Sequence, residues 1–245
     1  MRLEKADDTY IVYRNECRIG SFRLYDNPNH MRNCYVKLEL DAPDVTISAE
    51  LFMKLREIAG RPLQVMVDSD DAELIAFLVA GGFVCRRKCY EVEVGIEDYI
   101  GGQADAPLEH CRIGEADYEK ACRMLFAHYT ETHKTVNPWT ADDKAFCDAL
   151  PEDVICTKQG GEIVSLAFVE DNEIAYVCGA DKKKFAEFAR SLVCAMLEKH
   201  ETICFESDDC DWAAMLLRSL FRNREETSCD TYVCDSGGTM PPYEG

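Results

Sequence analysis

Three lysines, Lys182, Lys183 and Lys184, follow Asp181 directly. They fall where Phe185, Phe188, Ala189, Leu192, Val193, Met196 and Leu197 begin an i, i+3, i+4, i+7 stripe that predicts a long amphipathic helix. The helix dipole disfavours cations at that end, and the chain is otherwise acidic, with 27 Lys and Arg against 46 Asp and Glu, a net charge of −19. A phosphate-bearing ligand would resolve the conflict through charge-assisted contacts at the first turn. The alternative is that Asp181 caps the helix and the lysines solvate it.

Other chemistry-bearing residues point less sharply. Fourteen cysteines in 245 residues with 47% hydrophobic content read as reduced thiols, mostly small core residues, because Met1 to Tyr10 (MRLEKADDTY) is too charged for an export signal. Cys85 and Cys89, and Cys229 and Cys234, make no C-x-x-C pair, and His30, His110, His128, His133 and His200 keep no ligand spacing to them, so no metal is expected. Neither G-x-S-x-G nor a P-loop occurs. The acidic balance argues against a nucleic-acid partner and suits a small amine. No apolar window is long enough to span a bilayer, which places the chain in the cytoplasm. Arg86, Arg87 and Lys88 read as a solvated strand edge, and Tyr129, His133, Asn137-Pro138 and Trp139 as a loop of bulky groups between two helices.

The elements that position these groups follow from apolar periodicity. Residues 10–13 and 18–25 form a hairpin around Arg14, Asn15 and Glu16, and Cys34 to Leu40 is a strand. A helix carries Leu51, Phe52, Leu55, Ile58 and Ala59 to a stop at Gly60; a strand alternates Leu63, Val65 and Val67. A helix with Leu74, Phe77 and Leu78 ends at Gly81-Gly82, and a strand runs from Phe83 to Val94. Gly, Pro and acids mark 95–110 as a linker. Then come a strand at 111–113, a helix through Tyr118, Ala121, Cys122, Leu125 and Tyr129, and a helix from Ala141 to Leu150 with Thr140 as N-cap. Strands at 154–158 and 162–169 turn at Gly160-Gly161; after the strand 173–178 and the long helix come a strand at 202–206, a helix at 212–220 and a strand at 231–234. Residues 235–245 are expected to be a flexible tail.

Two stretches offset by 138 residues match in type. Ser69, Asp70, Asp71, Ala76, Leu78 and Phe83 recur as Ser207, Asp208, Asp209, Ala214, Leu216 and Phe221, at the same strand-to-helix position, which favours a duplication.

This order of elements, with Asp71 to Phe83 (DAELIAFLVAGGF) running through a helix into Gly-Phe, resembles the GNAT superfamily of acyl-CoA N-acyltransferases. The resemblance implies an α/β (α+β) fold of mixed, mostly antiparallel sheets flanked by helices, in tandem: a partial GNAT-like domain over 1–94 and a fuller one over 111–234. In the family, a loop of Arg or Gln, two residues, Gly, one residue, Gly or Ala holds the pyrophosphate of acetyl-CoA on backbone N–H groups at a helix start. The first half has no Gly between Asp41 and Glu50; the second, Lys184 to Ala189 (KFAEFA), has Glu187 where Gly is expected. The resemblance assigns cofactor binding to Val177, Cys178, Lys182, Lys183, Lys184, Phe185 and Ala186, proton acceptance to Glu173 or Glu170, and Tyr176 to the site wall. The Tyr that protonates the departing thiolate in the family corresponds to Leu78 and Leu216, so that acid is missing. The implied activity is acetyl-CoA-dependent N-acetylation of a small amine by the C-terminal half. The competing reading is a non-catalytic ligand-binding or interaction module that has lost the pyrophosphate loop.

Overall fold

The computed structural model describes residues 1–41, 44–222 and 224–235; the expected tail, from 236 on, lies outside the described residues. In chain order the strands and helices are β1 (Arg2–Ala6), β2 (Thr9–Arg14), β3 (Cys17–Tyr25), β4 (Cys34–Leu40), α1 (Val45–Ala59), β5 (Leu63–Asp68), α2 (Ala72–Ala80) and β6 (Val84–Gly95). They continue with β7 (Glu109–Arg112), α3 (Ala116–His133), α4 (Asp143–Cys147), β8 (Asp153–Gln159), β9 (Glu162–Glu170), β10 (Glu173–Gly179), α5 (Lys182–Leu197), β11 (Thr202–Asp208), α6 (Trp212–Arg218) and β12 (Cys229–Cys234).

The chain divides into two units whose membership does not follow chain order. Among the described residues, the first comprises 1–86, 136–140 and 230–235, and the second 87–135 and 141–229. Most of β6 thus belongs to the second unit, and β12, at the end of the chain, to the first.

In the first unit the strands run in the order β1-β2-β3-β4-β5-β12. Neighbours from β1 to β4 are antiparallel, and β4 and β5 are parallel. Of the expected stripe of α1, Leu51, Phe52 and Leu55 are fully buried and pack with Phe22, Phe77 and Leu78, Ala59 is half-buried, and Ile58 is exposed. Gly60 ends α1 in the left-handed region at φ 67°, a conformation that favours glycine. Asp44 caps its start, accepting from Thr46 N. The segment 136–140 is held in this unit: Asn33 Nδ2 donates to Val136 O at 3.2 Å, Asn137 Nδ2 donates to the Tyr35 hydroxyl, and His30 meets the Trp139 ring edge-on.

The second unit has the order β6-β11-β10-β9-β8-β7, antiparallel except for β10 and β11. Phe185, Phe188, Ala189, Leu192 and Val193 of α5 have no exposed surface, as the predicted stripe requires, and pack with Val92, Phe205, Ala213 and Leu217. The β8–β9 turn takes Gly160 and Gly161 to φ 62° and 85°, matching the two-residue hairpin read from the sequence. Among the described residues no helix is long and apolar enough to cross a membrane.

Three expectations are corrected. β1 was not anticipated: four of its five residues are exposed, so the edge strand carries little apolar signal. The short α4 spans Asp143–Cys147 and is capped by Asp142, which accepts from Ala145 N, rather than running from Ala141 to Leu150 behind Thr140. The Thr140 hydroxyl instead accepts from Met31 N in the first unit. The basic run 86–88 is not a solvated edge, because Arg87 is largely buried against Asp208 at 3.1 Å.

Candidate functional site

β10 carries the local irregularity that opens the site. Its pairing with β9 shifts register between Ile174 and Tyr176, leaving Ala175 as the extra residue of a bulge. On its other edge, β10 pairs with β11 at one position among the described residues, Glu173 with Cys204. Two parallel strands that part after one pair leave unfilled space, and a cavity of about 60 Å³ lies there. That volume has room for about four water-sized spheres or a group of a few heavy atoms.

Four elements wall this cavity. β10 supplies Ile174 to Val177, β11 Glu206 and Asp208, α3 His128, Tyr129 and His133, and α6 with its cap Asp211, Ala214 and Leu217. His128 and His133 are five apart on α3, yet each meets a carboxylate. His128 Nε2 lies 2.9 Å from Asp211 Oδ1, and His133 Nε2 lies 2.9 Å from Asp208 Oδ2. Asp211 also accepts from Ala213 N at 2.8 Å, so one carboxylate caps α6 and orients His128. The Tyr129 ring stacks on His133 at 4.0 Å, nearly parallel.

The charges are arranged around Asp208. Burial alone would raise its pKa; the His133 hydrogen bond and the Arg87 guanidinium outweigh that and hold it below the ordinary carboxylate value. Glu206 goes the other way, raised by burial and by the nearby Asp208 charge; the Cys89 thiol donates to it at 3.7 Å. The Cys210 thiol is pushed up to about 12, by burial first and then by Asp208. Partial burial, with Glu206 and Glu173 nearby, raises the Tyr176 hydroxyl as well.

Of the residues singled out in the sequence, Tyr176 and Val177 line the cavity. Glu170 and Glu173 pair across the β9–β10 hairpin, both exposed, and neither lines it. Cys178 is fully buried. Gly179 follows, and a Cβ there would sit 2.8 Å from the Phe185 Cβ, so glycine is what lets β10 turn closely into α5.

Asp181 caps α5, accepting from Lys184 N at 3.0 Å. Lys182, Lys183 and Lys184 are exposed on the first turn, followed by buried Phe185 and half-buried Ala186. The Lys182 ammonium sits 5.6 Å over the Trp212 ring, and that ring meets Phe185 edge-on at 5.5 Å. Lys184 Nζ donates to Gln159 Oε1. Lys184, Glu187 and Arg190 line a second, larger cleft of about 560 Å³ with Lys158, Gln159 and the segment 103–107.

Sequence reasoning missed Glu206, Asp208, Asp211 and Arg87. The recurrence of Ser207-Asp208-Asp209 was visible, but it marked a strand-to-helix turn and not a site. Their chemistry depends on strand pairing that brings residue 89 opposite residue 208.

No model of a known protein family matches the chain, and no curated protein sequence matches it. Solved structures do. A GCN5-related N-acetyltransferase from Sphaerobacter thermophilus superposes with a TM-score of 0.55 at 8% identity, over 97% of this chain and 84% of that one. A GCN5-related N-acetyltransferase from Kribbella flavida gives 0.51 at 14% identity, over 97% and 90%. A GNAT-family acetyltransferase from Colwellia psychrerythraea gives 0.51 at 9% identity, over 93% and 85%. At such identities the likeness is one of fold, and the fold is that of the GNAT N-acetyltransferases, as the order of elements implied.

Proposed function

We propose that this chain is an acetyl-CoA-dependent N-acetyltransferase acting on a small amine, with the second unit as its catalytic unit. The supporting observation is the bulge at Ala175 beside strands β10 and β11 that part after one pair, with an ionisable cavity between them. In this reading the chain is a tandem, with a partial GNAT-like copy over 1–94, a linker at 95–110, and a fuller copy over 111–234. Its fourteen cysteines are free thiols, which a cytoplasmic setting would keep reduced.

Backbone N–H groups of Val177 and Cys178 polarise the thioester carbonyl, while the first turn of α5 and its lysines receive the pyrophosphate, with Phe185 and Ala186 behind it. The amine nitrogen attacks the carbonyl carbon, the C–S bond breaks, and the amine proton passes to a carboxylate. Glu206 stands for that role because it lines the cavity and, among the described residues, its carboxylate accepts from the weak Cys89 thiol donor. Glu173 and Glu170 at the hairpin would attract a cationic acceptor, and Tyr176 forms the wall. With leucine at position 216, coenzyme A leaves as the thiolate, tolerable for a thiol of ordinary pKa.

A second reading, a ligand-binding module without catalysis, is favoured by the Lys182–Trp212–Phe185 stack beside the first turn of α5 and by Glu187 in the pyrophosphate motif. Calorimetric titration of the reduced protein with acetyl-CoA, followed by an amine screen, separates the two. One-to-one binding that weakens when Lys182, Lys183 and Lys184 become Ala, with amine-dependent thiol release, supports the enzyme. Absence of binding at millimolar acetyl-CoA overturns it.

A further inference from the structure

We propose that the floor of the second unit's cavity is a zinc site formed by His133, Asp208 and Cys210. The proposal is independent of acetyl transfer. One imidazole nitrogen, one carboxylate oxygen and one thiol sulfur from these three residues lie within 4.8 Å of one another.

Both ring nitrogens of His133 are placed as a metal-binding imidazole requires. Its Nδ1 lies 2.9 Å from the Thr132 hydroxyl and 3.2 Å from the Tyr129 backbone carbonyl, and its Nε2 faces the Asp208 carboxylate at 2.9 Å. A metal ion entering between Nε2 and the carboxylate would replace a bridging proton. With Nε2 on the ion, Nδ1 would donate to the Tyr129 carbonyl, the outer-sphere arrangement that fixes a histidine as a metal ligand.

Asp208 completes the case. Its Oδ2 is shared between His133 and Arg87, whereas its Oδ1 is buried and has no hydrogen-bond partner among the described residues. A buried carboxylate oxygen left without a partner is costly. Metal coordination would satisfy Oδ1 while Arg87 remains on Oδ2 as the outer-sphere partner. Two ligand atoms of tetrahedral zinc stand about 3.3 Å apart at ordinary Zn–N and Zn–O lengths, so ligand atoms within 4.8 Å of one another need only a small adjustment.

One nitrogen, one oxygen and one sulfur suit zinc and exclude the hard ions magnesium and calcium, which take oxygen. As the Zn–S bond forms, the Cys210 thiol proton passes to the buffer and the ion sheds waters. His133 and Asp208 line the cavity, so the fourth position opens into it.

The test uses the full-length, reduced, metal-free protein with cobalt(II) as probe. A thiolate-to-cobalt charge-transfer band saturating at one ion per chain and bleached by zinc(II) is expected. Cys210→Ser should lose that band, and Cys17→Ser, at an exposed thiol of the first unit, should keep it. His133→Gln and Asp208→Asn should weaken zinc binding about tenfold or more. Should a variant misfold, the wild type decides: one equivalent of zinc should slow alkylation of Cys210, read by peptide mass spectrometry. No band, a band that survives Cys210→Ser, or unprotected Cys210 overturns the proposal.

Discussion

Asp181→Ala should move stability and ligand affinity in opposite directions. Asp181 accepts from Lys184 N and is the anion that offsets three lysines on the first turn of α5. Losing an Asp N-cap costs about 1 kcal/mol, and losing a negative charge at a helix start costs roughly 0.3–1 kcal/mol more. For a chain of 245 residues, a total of about 1.3–2 kcal/mol lowers Tm by roughly 3–8 °C. The same carboxylate repels an arriving phosphate by about 1 kcal/mol per unit charge at 4 Å under water-like screening. Its removal also frees the Lys184 N–H as a donor. The Kd for acetyl-CoA should therefore tighten by roughly fivefold to tenfold. Thermal denaturation with and without ligand, and calorimetric titration, read both quantities. Asp71→Ala is the control, because Asp71 caps α2 in the first unit by accepting from Leu74 N; it should lower Tm and leave Kd alone. A destabilised Asp181→Ala protein with unchanged or weaker affinity would refute the placement of the pyrophosphate at α5.

Glu206→Gln should reduce kcat by about 10²–10⁴ while leaving acetyl-CoA binding unchanged; steady-state kinetics on an accepted amine checks this, and an unaffected kcat removes Glu206 from the proton path. Gly179→Ala forces a Cβ to 2.8 Å from the Phe185 Cβ and should cost roughly 1–3 kcal/mol, seen as a lower Tm; wild-type stability would mean the β10–α5 turn yields easily. Ending the chain at Ser228 removes β12 and with it Tyr232 and Cys234 from the core of the first unit. Amide exchange should then rise across β5 and α1 and stay protected in α5. Uniform protection in both units would contradict the assignment of β12.

Much of the fold was legible because it rests on local periodicity. The α5 stripe, the α1 stripe with Gly60, and the Gly160-Gly161 turn each follow from side-chain spacing or a positive φ, properties of a few adjacent residues. β1 was not legible, since an exposed edge strand buries almost nothing. The candidate site was half legible. The lysines and Asp181 announce a helix start, and Tyr176 sits on a strand whose direction could be read. His133 with Asp208, 75 residues away, could not be paired in advance. Arg87 was read as surface because a basic run looks solvated until the strand carrying Asp208 is laid beside it.

The division of strands between the units also governs the order in which the protein can finish folding as it is synthesised. Strands β1 to β5 belong to a sheet whose further member, β12, is translated only after every strand of the second unit, so the first unit waits for the second to be made. The second unit uses residues 87–95, made early, but still needs β11, made late. Both therefore close only once β11 and β12 have been made, and such long-range pairing is slow and exposes unpaired edges meanwhile. A stop codon placed between the halves would leave a fragment without its closing strand, and a gene split at 110 would be expected to work only when both pieces are made together.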